Sequence, residues 1–313
     1  MKNKTRKLLL AAGENIELAK KEVRAVAEDS SEGEKLILKN RLIISGSKIS
    51  YPERLGLVHE ISKQVEKIDE PENFRAEYTI DGRYAVEARI LEGDRDPEKV
   101  ETGIGEALSN RKNSVDLDNP DTVIKAYVLE DEIILGRLEQ EIDRGKFNQR
   151  KNQNRPFSSP VSLDPKLART LVNLSGVKPG ERLLDPFCGT GGILIEAGLC
   201  GVGVAGTDID QEMVKGCRKN LGEYGIINHD ILQESAEKAP EALEEEIDAV
   251  VTDLPYGRSS KKTKDIVEKF MDSIEAYDCR KVIVWNKDTL DGRNPDFSID
   301  VHSSLTRYIY IID

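Results

Sequence analysis

Asp253-Leu254-Pro255-Tyr256 closes an apolar stretch, Ala249-Val250-Val251-Thr252. A carboxylate, two backbone carbonyls and an aromatic ring thus meet at the end of one expected strand. An exocyclic amine conjugated to a purine or pyrimidine has a delocalised lone pair and attacks poorly. Asp253 can accept one of its N–H groups, and the carbonyl of Leu254 or Pro255 can accept the other. Held this way, the nitrogen turns pyramidal and its lone pair becomes available to an electrophilic carbon. Pro255 stiffens the approach of the carbonyl, and Tyr256 offers a face for a flipped base. No metal and no covalent intermediate is needed for this chemistry.

A second constellation lies upstream, where Leu183-Leu184-Asp185-Pro186-Phe187-Cys188-Gly189-Thr190-Gly191-Gly192 runs from an apolar strand through a glycine turn into a helix. Such a turn lets a ligand lie against bare backbone. A dinucleotide fingerprint requires a third glycine, but position 194 is Leu. Asp185 would also repel a pyrophosphate, whereas it suits a cationic ligand such as the amino group of S-adenosylmethionine. Asp208 ends the next expected strand, where a carboxylate can accept both hydroxyls of a ribose. Asp210 reads instead as the N-cap of the following helix.

These residues need a frame, and the second half of the chain supplies one. A helix over Pro165–Leu174 is followed by alternating strands and helices. The strands are Arg182–Asp185, Val202–Asp208, His229–Gln233, Ala249–Asp253 and Lys281–Trp285, with helices at Ile193–Leu199 and Gln211–Leu221. This alternation predicts an α/β, doubly wound Rossmann-like sheet, closed by a β-hairpin of Phe297–His302 and Thr306–Ile312. The first half reads as α+β. Helical faces fall at 14–28 and Lys99–Ser109, with strands near Leu36–Ser45, Thr122–Leu129 and Glu132–Leu138. Asp81-Gly82 inside Ala76–Ile90 is a hairpin signal.

Composition narrows the class. The chain has 313 residues and a formal net charge of −12, which argues against a uniformly basic nucleic-acid binder. Arg144, Lys146, Arg150, Lys151 and Arg155 nonetheless form a local run free of acids, able to hold phosphates. The four cysteines form no CxxC pair and have no histidine at ligand spacing, so no metal is expected. Neither a spanning apolar stretch nor a signal segment is evident, and a cytoplasmic protein away from membranes is expected.

Together, the glycine turn with its two strand-end acids resembles class I methyltransferases, and Asp253-Leu254-Pro255-Tyr256 resembles the (D/N/S)PP(Y/F/W) motif of amino methyltransferases. Leu254 departs from that motif, and a slightly less rigid turn is expected. The wider set resembles the archaeal tRNA guanine-10 N2-methyltransferases. It comprises Arg155-Pro156-Phe157-Ser158-Ser159-Pro160, Leu163-Asp164-Pro165-Lys166-Leu167-Ala168, Val115-Asp116-Leu117-Asp118-Asn119-Pro120 and Gly257-Arg258-Ser259-Ser260.

The resemblance implies four segments: a ferredoxin-like subdomain at 1–60, an RNA-binding THUMP domain at 61–143, a basic linker at 144–160 and a methyltransferase domain at 161–313. It implies methyl transfer from S-adenosylmethionine to N2 of a tRNA guanosine, giving the mono- or dimethylated base. Asp253, Leu254, Pro255 and Tyr256 would be catalytic. Asp185, Phe187, Gly189, Gly191, Asp208, Ile209, Ser235 and Ala236 would hold the cofactor. Ser235 and Asp230 compete for the adenine. The basic run and Arg258 would contact RNA. DNA adenine or protein glutamine methylation leaves the first half without a role, and intact acids oppose a decayed, merely tRNA-binding fold.

Overall fold

The chain folds into two units, Met1–Glu53 with Leu57–Asp143, and Arg54–Gly56 with Arg144–Asp313. The computed structural model describes all residues except 1–5, 29–35, 72–73, 77, 160–161, 244, 256–260 and 303–304.

In the first unit the order is β1 (Lys7–Ala11), α1 (Ile16–Val26), β2 (Ile37–Lys39), β3 (Leu42–Ser45), β4 (Val58–Ile68), β5 (Gly82–Ile90), α2 (Pro97–Leu108), β6 (Asn113–Val115), β7 (Thr122–Val128) and β8 (Ile133–Glu141). All eight strands join one sheet, ordered β2-β3-β1-β4-β8-β7-β5-β6. The boundary expected at 60/61 falls inside β4, which pairs with β1 on one side and β8 on the other. One sheet therefore runs through what the sequence divides in two. The hairpin expected at Asp81-Gly82 does not form. Gly82 has φ +82° and opens β5, whose neighbours β6 and β7 both run parallel to it. Residues just before Gly82 act as packing instead: Phe74 and Ile80 are buried against Val100, Ile104 and Leu108 of α2.

The second unit carries α3 (Gly145–Gln149), α4 (Pro165–Leu174), β9 (Arg182–Asp185), α5 (Gly192–Gly198), β10 (Gly203–Asp208), α6 (Gln211–Glu223), β11 (His229–Gln233), α7 (Ala239–Ala242), β12 (Ala249–Asp253), α8 (Lys261–Ile274), β13 (Arg280–Trp285), β14 (Phe297–His302) and β15 (Leu305–Ile312). The sheet order is β11-β10-β9-β12-β13-β15-β14. Strands β9 to β13 are parallel, and β15 and β14 form the antiparallel closing hairpin. The order reverses between β9 and β12, which opens a crevice at their carboxyl ends.

Local chemistry sets the helix starts. Asp164 caps α4 by accepting from the N–H of Lys166 at 2.9 Å, with Pro165 in the first turn. Asp210 caps α6, accepting from the N–H of Glu212 at 2.8 Å, as its position predicts.

Candidate active site

Three aspartates end three neighbouring strands, Asp208 on β10, Asp185 on β9 and Asp253 on β12. They line one cavity of about 660 Å³ together with Pro186, Phe187, Gly189, Ile209, Ser235, Ala236, Leu254 and Pro255. Parallel pairing brings them together, since each strand delivers its last residue to the same edge of the sheet.

Asp185 is 2% exposed. Its Oδ1 accepts from Thr252 Oγ1 at 2.7 Å and from the N–H of Phe187 at 3.2 Å. Burial pushes its carboxyl up to about 7; these two hydrogen bonds oppose the rise, and the negative charges of Asp253 and Asp208 add to it. Asp208 is held at both oxygens, Oδ2 by the N–H of Gly189 at 3.0 Å and Oδ1 by the N–H of Asp210 at 2.9 Å. Burial raises its carboxyl as well, against those two donors.

The glycines divide the work. Gly189 (φ +49°) faces open space, and a side chain there would project without meeting a neighbour. Gly191 (φ +81°) does not line the cavity, contrary to its expected role in ligand contact. A Cβ on it would come within 2.7 Å of Cys217 Sγ, so it serves the fit of the turn against α6. Phe187 stands edge-on to Phe270, with ring centroids 5.0 Å apart, and Ile209 is 70% exposed at the rim. Ser235 lines the cavity, whereas Asp230 does not and is ion-paired with Arg182.

Leu254 differs from its expected effect. Its side chain is fully buried with Phe270, Ile283 and Trp285. Its N–H donates to the carbonyl of Val284 at 2.9 Å, extending the β12–β13 ladder by one bond. A proline could not make that bond. The end of β12 is thus anchored through the residue that breaks the motif. Tyr256 and Arg258 lie outside the described residues.

The basic run is corrected in two of its five members. Arg150 binds the buried Glu196 through Nε at 2.7 Å and Nη2 at 3.1 Å, and Arg169 Nη2 reaches the same carboxylate at 2.8 Å. The ring of Phe147 lies under both guanidinium groups. Arg155 is 5% exposed and donates to the Arg150 carbonyl and to Ser162 Oγ. Neither is presented to a phosphate. Lys146 is exposed, and Arg144 and Lys151 are partly so. The segment expected as a linker is packed into the second unit. Phe157 fills the space over Gly216, and Asn220 brackets it by bonding its N–H and its carbonyl.

Several lining residues escape sequence reasoning: Ser162, Leu163, Thr190, Gly192 and Glu237. Ser162 and Leu163 sit beside the Arg155-Pro156-Phe157 motif, which was the available signal. Arg307 on β15 does not line the cavity, but its Nη2 lies 3.7 Å from Oδ2 of Asp253, which does. Among the described residues no group of three or more metal-ligating side chains occurs, and no helix is long and apolar enough to cross a membrane.

Residues 152–282 match the RMKL-like methyltransferase domain, and residues 58–136 match the THUMP domain. The chain is 39% identical over 282 residues to a tRNA (guanine(10)-N2)-dimethyltransferase of Methanothermobacter thermautotrophicus, covering 83% of each chain. It is 33% identical to the enzyme of that name from Pyrococcus abyssi, over 95% of this chain and 96% of that one. Among solved structures, TrmN from Thermus thermophilus superposes with a TM-score of 0.55 at 20% identity, covering 98% of each chain, a likeness of fold. The chain belongs to the family of the archaeal tRNA (guanine(10)-N2)-dimethyltransferases.

Proposed function

We propose that this protein transfers methyl groups from S-adenosylmethionine to the exocyclic N2 of a guanosine in tRNA, at position 10 as its relatives' names indicate. The observation that carries this reading is the convergence of Asp185, Asp208 and Asp253 on one cavity.

The cavity suits S-adenosylmethionine. Asp208 has both oxygens oriented by backbone N–H groups and is placed to accept two ribose hydroxyls. Asp185 answers a cationic amino group, and Gly189 leaves bare backbone beside it. Ile209 and Ala236 offer apolar faces to the adenine, with Ser235 to accept from its amine and Phe187 against the methionine portion. When bound, the cofactor supplies an electrophilic methyl on a sulfonium. Asp253 accepts one N2–H of the guanine, and the carbonyl of Leu254 or Pro255 accepts the other. The nitrogen is then pyramidal before attack, and Asp253 accepts the proton it loses. Tyr256 supplies the stacking face for the flipped base.

RNA is held by the first unit and by Arg144, Lys146, Lys151 and Arg258. Register supports a phosphate surface in the first unit: Lys7 pairs with Lys63, and Lys63 with Arg137, across β1, β4 and β8. Like charges facing across strands repel. Lys7 is neutralised by Glu139, while Lys63 and Arg137 have no carboxylate partner among the described residues. Such a row is stabilised by an anionic backbone. A cytoplasmic location follows from a tRNA substrate.

Nucleoside mass spectrometry of tRNA incubated with the protein and methyl-labelled cofactor tests this reading. N2-methyl- or N2,N2-dimethylguanosine at position 10 supports it. Label in adenosine or in protein alone overturns it.

A further inference from the structure

Arg307 stands where a methyl-transfer reaction does not require a cation. It is 7% exposed and lies near the start of β15, whose next residue, Tyr308, is paired with Trp285 at the end of β13. On the other side of β13, Val284 is paired with Asp253. The guanidinium therefore crosses the carboxyl end of β13 to reach the carboxylate that ends β12. The separation from Nη2 to Asp253 Oδ2 is 3.7 Å, a charge contact longer than a closed N–H···O bond. Acceptor and donor thus sit side by side at the carboxyl ends of β12 and β13, the acceptor on the cavity wall and the donor behind it.

The hydrogen-bonding edge of guanine carries, in order, the N2 amine, N1–H and O6, that is donor, donor and acceptor. A carboxylate next to a guanidinium presents acceptor, acceptor and donor. Adenine has an acceptor at N1 and an amine in place of the oxygen at C6, so its edge would set a lone pair against Asp253 and a donor against Arg307.

We propose that Arg307 is a specificity-determining residue that donates to O6 of the target guanine while Asp253 accepts from N1–H and one N2–H. The second N2–H is left to the carbonyl of Leu254 or Pro255. This inference rests on the reading of guanine N2 as acceptor.

A single-atom change in the substrate isolates the contact. Full-length protein is assayed for kcat/KM on tRNA carrying either guanosine or 6-thioguanosine at the target position. The sulfur analogue keeps both donors and replaces O6 by a weak acceptor. Wild-type protein is expected to prefer guanosine by about 10- to 100-fold, the loss of one charged hydrogen bond. In Arg307→Met the guanosine value falls by a similar factor and the analogue's barely moves, closing the ratio to within about threefold. Arg307→Lys recovers part of the preference. Melting temperature and cofactor affinity of each variant verify folding, and Arg307→Lys carries the test if the methionine variant does not fold.

An unchanged ratio in the variants, or equal losses on both substrates, would overturn base reading by Arg307. Absence of a wild-type preference would do the same. Failure of wild-type protein to methylate guanosine in any tRNA is a separate outcome and strikes the parent reading instead.

Discussion

Thr252 Oγ1 donates to Asp185 Oδ1 at 2.7 Å, tying the strand that ends in Asp253, the proposed catalytic carboxylate, to the strand that ends in Asp185. Thr252 is fully buried and immediately precedes Asp253. The bond therefore fixes the offset between β12 and β9 at the level of the chemistry. It also opposes the rise in the Asp185 carboxyl that burial causes. Thr252→Val is expected to weaken S-adenosylmethionine binding about 3- to 10-fold at pH 7, the cost of roughly one hydrogen bond to a charged group. Isothermal titration checks this; unchanged affinity would leave the bond a packing feature only.

Cofactor binding should depend on pH through Asp185. The carboxyl lies at about 7 in the folded protein, above its ordinary 3.8, and the charged form is the one that binds a cationic group. Affinity is expected to rise with pH and level off above about 7, with binding at pH 5.5 about 10- to 30-fold weaker than at pH 8. Proton release on binding near pH 6 follows, and titrations in buffers of different ionisation enthalpy measure it. The sign for stability is the reverse. The folded state holds the proton more tightly, so this group makes the apo protein less stable as pH rises from about 4 to 7. Asp185→Asn should then raise the melting temperature at pH 8 while losing cofactor binding.

Asp253→Ala is expected to reduce methyl transfer at least 10³-fold, while cofactor affinity changes less than about threefold, because the role proposed for Asp253 is on the amine rather than on the cofactor. Single-turnover rates with saturating cofactor separate the two effects. Retained turnover would refute the role given to Asp253.

Leu254→Pro restores the common motif and should nevertheless destabilise. It removes the N–H donated to Val284 and the buried leucine side chain. A loss of about 2–4 kcal/mol is expected, read from urea unfolding. A stability equal to wild type would show that the ladder bond is dispensable.

Charge reversal within the basic run should separate residues by burial. Arg150→Glu places a second carboxylate beside the buried Glu196, already shared with Arg169. It should cost about 3–5 kcal/mol of stability. Lys146→Glu, at an exposed position, should leave the melting temperature within about 1 °C while weakening tRNA binding and lowering its salt dependence. Equal melting temperatures for both variants would contradict this assignment.

Much of this protein is legible in its residues because the relevant physics is local. Strand-end acids follow apolar runs, glycine turns join a strand to a helix, and Asp164 and Asp210 stand where a helix needs a cap. Alternation of strands and helices implies a parallel sheet, and a parallel sheet delivers Asp185, Asp208 and Asp253 to one edge. What tertiary structure alone decided depends on partners remote in sequence. Arg150 and Arg155 look like a phosphate stripe until Glu196, 46 residues beyond Arg150, takes the first and Ser162 Oγ with the Arg150 carbonyl takes the second. Gly191 resembles a ligand contact until Cys217 occupies the space behind it. Leu254 looks like a lapse until Val284 supplies an acceptor for its amide. Arg307 carries no motif at all; its meaning comes from the crossing of β13 that brings it beside Asp253. Periodicity reports which face of an element is buried, but only the packed fold determines which charge meets which.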